Sequence, residues 1–135
     1  MTEILISFPV TALIAAAFGI LMVPLSLQIS LHYASRGTSQ ADPDNMHDEL
    51  LRRKTRAHGN FIEYVPTALI LLGLMEASGA PGMLLWWLGG SFLGARILHI
   101  IGQMYTDGPA LRGAAMVAGH IYFLVSAGWL IQHYI

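Results

Sequence analysis

The sequence predicts an all-α integral membrane protein, a bundle of four spanning helices, and three observations predict it. Hydrophobic residues make up 55% of the 135-residue chain and charged residues only 11%, against about a quarter in an average soluble domain. Mean hydropathy is +0.57. A soluble chain of this length must cover its core with polar surface, and seven Lys and Arg with eight Asp and Glu are too few to do so. Four separate stretches each reach about 20 mainly apolar residues, the length that crosses a bilayer.

The first stretch runs from about Phe8 to Leu31. It has no basic lead, carries Glu3 instead, and is longer than the apolar region of a signal peptide, so it reads as an uncleaved span. Residues 32–56 form a long loop. Its Ser35 to Asp44 part is rich in Ser, Asp, Gly and Pro. Asn45 is placed to cap a helix that holds Asp48 and Glu49 in its first turns and Arg52 and Arg53 in the next, two i,i+4 acid-to-base pairs. That helix is expected to run unbroken into the second span, from about Ala57 to Met75. A short turn carrying Glu76 leads to the third span, about Met83 to Ile101, and a loop over 102–112 carrying Asp107 leads to the fourth, about Gly113 to Tyr134. Glu76 and Asp107 are expected to be solvated. The spans fill the chain as a single membrane domain over residues 1–135. Pro24 and Pro66 kink the first two spans and free the carbonyls of Ile20 and Ile62. Ala15 with Gly19, Gly90 with Gly94, and Ala115 with Gly119 stand at helix-packing spacing.

Basic residues orient the bundle. Arg36, Arg52, Arg53, Lys54 and Arg56 precede the second span and Arg112 precedes the fourth, while the other turn and both ends have none. The positive-inside rule then places loops 32–56 and 102–112 in the cytoplasm and both termini outside. Trp86, Trp87, Trp129 and Tyr134 fall at the outer ends, where an aromatic belt belongs.

A net charge of −1 argues against a nucleic-acid partner, and the absence of cysteine excludes disulfides, thiolate-ligated metals and a protein thiol nucleophile. His32, His47, His58 and His133 lie at or beyond interfaces without zinc-helix spacing, so no metal is expected. His120 reads as a hydrogen-bonded core residue.

The informative residues are the polar ones inside the hydrocarbon. Arg56, Asn60 and Glu63 stand at i, i+4 and i+7 on one face of the second span, beside Tyr64. Arg96, His99 and Gln103 repeat the pattern on the third, and Arg112 opens the fourth. Glu63 lies about 10 Å, and Arg96 about 8 Å, from the same cytoplasmic end. An isolated charge at that depth costs several kcal/mol, so it is paired or faces a wet cavity. Two arrangements satisfy this: a polar pocket opening to the cytoplasmic side, or a Glu63–Arg96 ion pair that sets helix register while Arg112 snorkels to headgroups.

The run Arg56-Ala57-His58-Gly59-Asn60-Phe61-Ile62-Glu63-Tyr64-Val65-Pro66 resembles the signature of the MAPEG superfamily, membrane-associated proteins in eicosanoid and glutathione metabolism. Ala95-Arg96-Ile97-Leu98-His99-Ile100-Ile101-Gly102 and the later Arg112 agree with it, and the H-G-N and E-Y-x-P details are most similar to the bacterial branch. The resemblance implies a homotrimer in a bacterial inner membrane, with glutathione as co-substrate at each subunit interface. Arg56, Asn60, Glu63, Tyr64, Arg96, His99 and Gln103 would bind it and Arg112 would stabilise its thiolate. It further implies a transferase or peroxidase that acts on lipophilic electrophiles or lipid hydroperoxides among membrane lipids. Gln103 stands where family enzymes often have a tyrosine, Gly113 where one has a serine, and Met116 where a tyrosine is found one turn on. Those departures suit the alternative, a non-catalytic lipid-binding or scaffold member.

Overall fold

The computed structural model describes residues 8–135 and is helical almost throughout; Glu3, and with it the expectation for the N-terminal end, lies outside these residues. The elements are α1 (Pro9–Arg36), a 3₁₀ turn (Pro43–His47), α2 (Glu49–Ala77), α3 (Gly82–Tyr105) and α4 (Ala110–Tyr134). All four α-helices are long and apolar enough to span a membrane. Each is longer than its apolar core, and α2 does carry the sequence of the first loop into its span without a break. Pro24 and Pro66 sit inside α1 and α2.

The helix ends have local causes. Gly37 closes α1 in the left-handed region (φ 62°), with Gly37 N–H on Ala34 O and Thr38 N–H on Tyr33 O, the paired bonds of a Schellman motif. Gly79 (φ 79°) closes α2 in the same way through Glu76 O and Met75 O. The N-cap of α2 is Asp48, which accepts from Leu51 N–H at 3.0 Å, and not Asn45. Asn45 is consumed one turn earlier: Asp42 caps the 3₁₀ turn, Pro43 opens it, and the Asn45 amide donates to Ser39 O at 2.7 Å. With Asp48 at the cap, its expected pair with Arg52 is replaced by bonds to His32 and Arg36, and Glu49 takes both Arg52 and Arg53.

Glu76 also corrects expectation. It lies in the last turn of α2, half-buried, and accepts from Val10 N–H at 2.9 Å and Thr11 N–H at 2.8 Å. Phe8 offers α1 no side-chain cap, so Glu76 satisfies the orphan donors at that helix start from another helix. Asp107 is solvated as expected, its side chain 92% exposed, and it also pairs with Arg53, which links the α3–α4 turn to α2.

Helices α2 and α3 pack on each other, and α1 and α4 each pack on both. Their common core is aromatic: Phe18 meets Phe61 and Phe92 edge-on, Phe92 lies 4.6 Å from Tyr122, and the Tyr122 hydroxyl donates to Ala68 O at 2.7 Å. Large apolar side chains such as Ile20 and Leu124 are about three-quarters exposed (73% and 74%), which suits a lipid-facing surface and not water. Of the expected small-residue contacts only Ala115 with Gly119 is buried within the chain. Gly19, Gly90 and Gly94 have open space where a Cβ would stand, and the close approaches fall at Gly89, Gly102 and Gly119.

Candidate functional site

At the end of the bundle that carries the arginines, the 37–48 segment folds back over the start of α2 and borders an open cavity of about 620 Å³. Arg56, Asn60 and Glu63 line it from α2, and His99 and Gln103 from α3. Helical periodicity alone aligns these α2 residues, and Gly59 lies between them on the cavity wall. Among the described residues Glu63 has no ion-pair partner, so the register-setting Glu63–Arg96 pair is not formed; its carboxylate belongs to an exposed, cavity-lining flank.

Arg96 has a different setting. It is 1% exposed, lies outside the cavity lining, and spans three helices: Nη1 donates to Asn60 Oδ1 at 2.8 Å and Nη2 to Ala115 O at 3.1 Å. Its guanidinium carbon stands 5.2 Å from the Tyr64 ring centre and 5.1 Å from that of Phe92. Two carbonyl acceptors and two π-faces thus replace a counter-ion. The bond to Asn60 holds the amide of a cavity-lining residue from behind. Tyr64 is half-buried between Arg96, Phe123 and His120. His120, expected in the core, is exposed; its bond is to Met116 O at 2.7 Å, within its own helix.

Arg112 lines not this cavity but a smaller neighbour of about 230 Å³, which shares Arg52, Arg56 and Gln103 with it. Its bonds are long, 3.5 Å to Gln103 Oε1 and to Asp107 O. The close approach at Gly102, where a Cβ would stand 2.9 Å from Arg112 Cγ, sets this side chain against α3.

The structure adds residues that periodicity does not reveal. Tyr33, Gln40, Asp42, Asn45 and Met46 line the larger cavity from the end of α1 and the returning segment, and Arg52 and Thr55 extend its α2 wall. Only the turn chemistry of Asp42-Pro43 signals that this segment folds back. A buried cluster anchors it: His32, 5% exposed, bonds Asp48 through Nε2 at 2.7 Å and Lys54 through Nδ1 at 3.3 Å. Lysine only donates and carboxylate only accepts, so this arrangement uses Nδ1 as an acceptor and Nε2 as a donor. The Leu51 N–H and then His32 hold the Asp48 carboxyl below the usual carboxylate range.

The cavity lining therefore includes carboxylates (Asp42, Glu63) and guanidinium groups (Arg52, Arg56), together with amides, hydroxyls and an imidazole. Such a lining has donors and acceptors for groups of both signs of charge.

In comparisons with known proteins, residues 11–132 match the MAPEG family. The chain is also similar to the inner membrane protein YecN of two Escherichia coli strains, 30% identical over 92 residues, covering 68% of this chain and 63% of the relatives. The chain thus spans less than two thirds of the length of the curated relatives it matches. No solved structure matches.

Proposed function

The chain belongs to the MAPEG family, and on that premise we propose that it is a glutathione-dependent membrane transferase or peroxidase. The observation that carries the reading is that Arg56, Asn60 and Glu63 of the signature run share one cavity of about 620 Å³ with His99 and Gln103. That volume lies within the ordinary range for small-molecule sites. Glutathione has two carboxylates for the forks of Arg56 and Arg52 and an ammonium for Glu63 or Asp42. Its thiol, with a pKa of about 8.5, is only a few per cent ionised at neutral pH, so catalysis needs a fixed positive charge near sulfur. Arg112, in the adjoining cavity and loosely held, is the residue we assign to that role. The thiolate then attacks the electrophilic carbon of a lipophilic substrate and displaces its leaving group, or attacks the terminal oxygen of a lipid hydroperoxide, breaking the O–O bond and releasing the lipid alcohol once its alkoxide takes up a proton; a second glutathione thiol then converts the resulting sulfenic acid to disulfide and water.

A homotrimer belongs to the same reading. Glu63 and Arg56 are exposed on the outer flank of α2, and a neighbouring protomer would cover them. The cytoplasmic placement of the cavity follows from the distribution of arginines.

Saturable binding of glutathione to purified protein, lost in Arg56→Ala and Glu63→Ala, is the direct test; no saturable binding refutes the reading. The separation of Arg112 from the larger cavity favours one alternative, a member that binds its ligand without turnover. Conjugation of an aryl halide that disappears in Arg112→Ala decides for the enzyme, and binding without conjugation decides for the alternative.

A further inference from the structure

Outside the lining of both cavities, three side chains at the base of the returning segment form a hydrogen-bonded chain. Lys54 Nζ donates to His32 Nδ1 at 3.3 Å, His32 Nε2 donates to Asp48 Oδ2 at 2.7 Å, and Asp48 Oδ1 accepts from Leu51 N–H at 3.0 Å. Amine, imidazole and carboxylate stand in the order of a nucleophile, its base and the group that orients the base.

The setting differs from that of an ordinary surface ion pair. His32 is buried and the Asp48 side chain nearly so, whereas Lys54 is half-buried and its nitrogen stays within reach of a ligand. Lys54 is the single lysine of the chain, and among the described residues it forms no ion pair, since Glu49 and Asp107 take the neighbouring arginines. Asp48 is fixed by its place at the cap of α2, and Arg36 at 3.5 Å is the other cation beside it. An imidazole, unlike a carboxylate, takes up and returns protons near neutral pH, so an amine held against it has a place to send one. The cluster lies at the bundle end that carries the arginines. Exposed Leu31 adjoins His32 in sequence and exposed Leu50 stands one turn before Lys54, which gives an acyl chain an apolar surface to lie against.

We infer that Lys54 is a covalent capture site for membrane-borne aldehydes, with His32 as its general base and Asp48 as the positioning residue that orients the imidazole. The Lys54 ammonium gives a proton to His32 Nδ1, and the freed lone pair forms a C–N bond as the carbonyl π pair moves to oxygen. That oxygen takes the proton back from the imidazolium. The carbinolamine nitrogen then loses a proton through the same imidazole, which delivers it to the departing hydroxyl, and water leaves. An ammonium and an aldehyde thus become a protonated imine and water, and neither an oxidant nor a reductant is consumed. None of the three residues lines the proposed glutathione cavity, and the site goes beyond that reading.

The test is capture of hexadecanal by the purified protein in phosphatidylcholine nanodiscs at neutral pH. Cyanoborohydride reduces the imine to a stable amine, and peptide mass spectrometry reads the adduct. Lys54 is expected to react about a hundredfold faster than palmitoyl-lysine amide in the same discs, the low end of what a placed general base supplies. His32→Gln offers Asp48 a donor and Lys54 an acceptor but takes up no proton, and it is expected to remove that advantage. Asp48→Asn still caps α2; it is expected to slow capture by a smaller factor and to move the acid limb of the rate profile to lower pH, which a purely structural role of the carboxylate does not do. Lys54 that reacts no faster than palmitoyl-lysine amide overturns the inference on the unaltered protein, whatever the variants do to folding. A rate that His32→Gln leaves unchanged overturns it as well. Propanal captured as fast as hexadecanal at equal bulk concentration overturns the membrane route. Accelerated capture in a protein that ignores glutathione upholds this site and removes the other reading.

Discussion

Gly119→Ala tests the Arg96 lock most directly. A Cβ at this position would stand 2.7 Å from Arg96 Nη2 and 3.5 Å from its Cζ. An ordinary contact needs roughly 3.5 Å, so the guanidinium must retreat by roughly 0.8 Å. Its bonds of 2.8 Å to Asn60 and 3.1 Å to Ala115 have little slack before the upper limit of a good hydrogen bond. A hydrogen bond made by a charged group contributes about 1.5–3 kcal/mol. Replacing glycine in a helix returns up to about 1 kcal/mol of propensity. The net expectation is destabilisation by about 1–2 kcal/mol, measured by denaturant unfolding in mixed micelles. Gly128→Ala on the same helix, with nothing within 4 Å of its Cβ, supplies the control and is expected to be neutral or slightly stabilising. In an Arg96→Met background the cost of Gly119→Ala should largely vanish, since the shorter, flexible side chain vacates the contested space; the coupling is read from the double-mutant cycle. A Gly119→Ala protein as stable as the Gly128→Ala control, or strict additivity with Arg96→Met, refutes the lock.

Three further outcomes follow from the same contacts. Glu76→Ala removes the acceptor for two N–H groups of α1 and should cost about 1–2 kcal/mol in the same unfolding assay, with Glu76→Gln, which keeps one acceptor oxygen, costing less. Gly102→Ala places a Cβ 3.2 Å from the backbone nitrogen of Arg112 as well as 2.9 Å from its Cγ; about 1–3 kcal/mol of overpacking is expected, together with weaker aryl halide conjugation as Arg112 is displaced. Asp48 and Asp107 both have carboxyl pKa values below the usual range, the first held mainly by Leu51 N–H and the second by Arg53. Their stabilisation is therefore fully present above the unfolded value and is lost as pH falls through the lower folded one. Thermal stability in detergent should show no loss from these groups between about pH 8 and about pH 5 and should decline below about pH 4.

Much of the site's chemistry could be read from residue spacing because a helix repeats about every 3.6 residues. Arg56, Asn60 and Glu63 had to share a face of α2, and they line one cavity. What spacing does not carry is which atom meets which across helices. Arg96 and Glu63 lie at similar depth and opposite charge, and sequence leaves them free to pair. Packing gives Arg96 to Asn60, Ala115 and two aromatic rings and leaves Glu63 on the cavity side. Glu76 looked solvated for a related reason: a lone acid near a helix end has the same local sequence whether it faces solvent or reaches the start of another helix.

The sequence by itself determined the solvent of this protein and its secondary structure. Scarce charge and four apolar runs admit only spanning helices, since no other single-chain element in these stretches satisfies every backbone N–H and C=O in lipid. It also determined the family, through a run of residues whose order is itself the signal. The tertiary structure alone decided which polar groups are spent on one another and which remain unpaired among the described residues. Arg96 is locked, Asp48 is shared between a helix cap and His32, and Arg56 and Arg112 keep free donors. Periodicity fixes only direction within one helix, whereas a hydrogen bond or ion pair between helices depends on distances of a few tenths of an ångström that only the packed bundle sets.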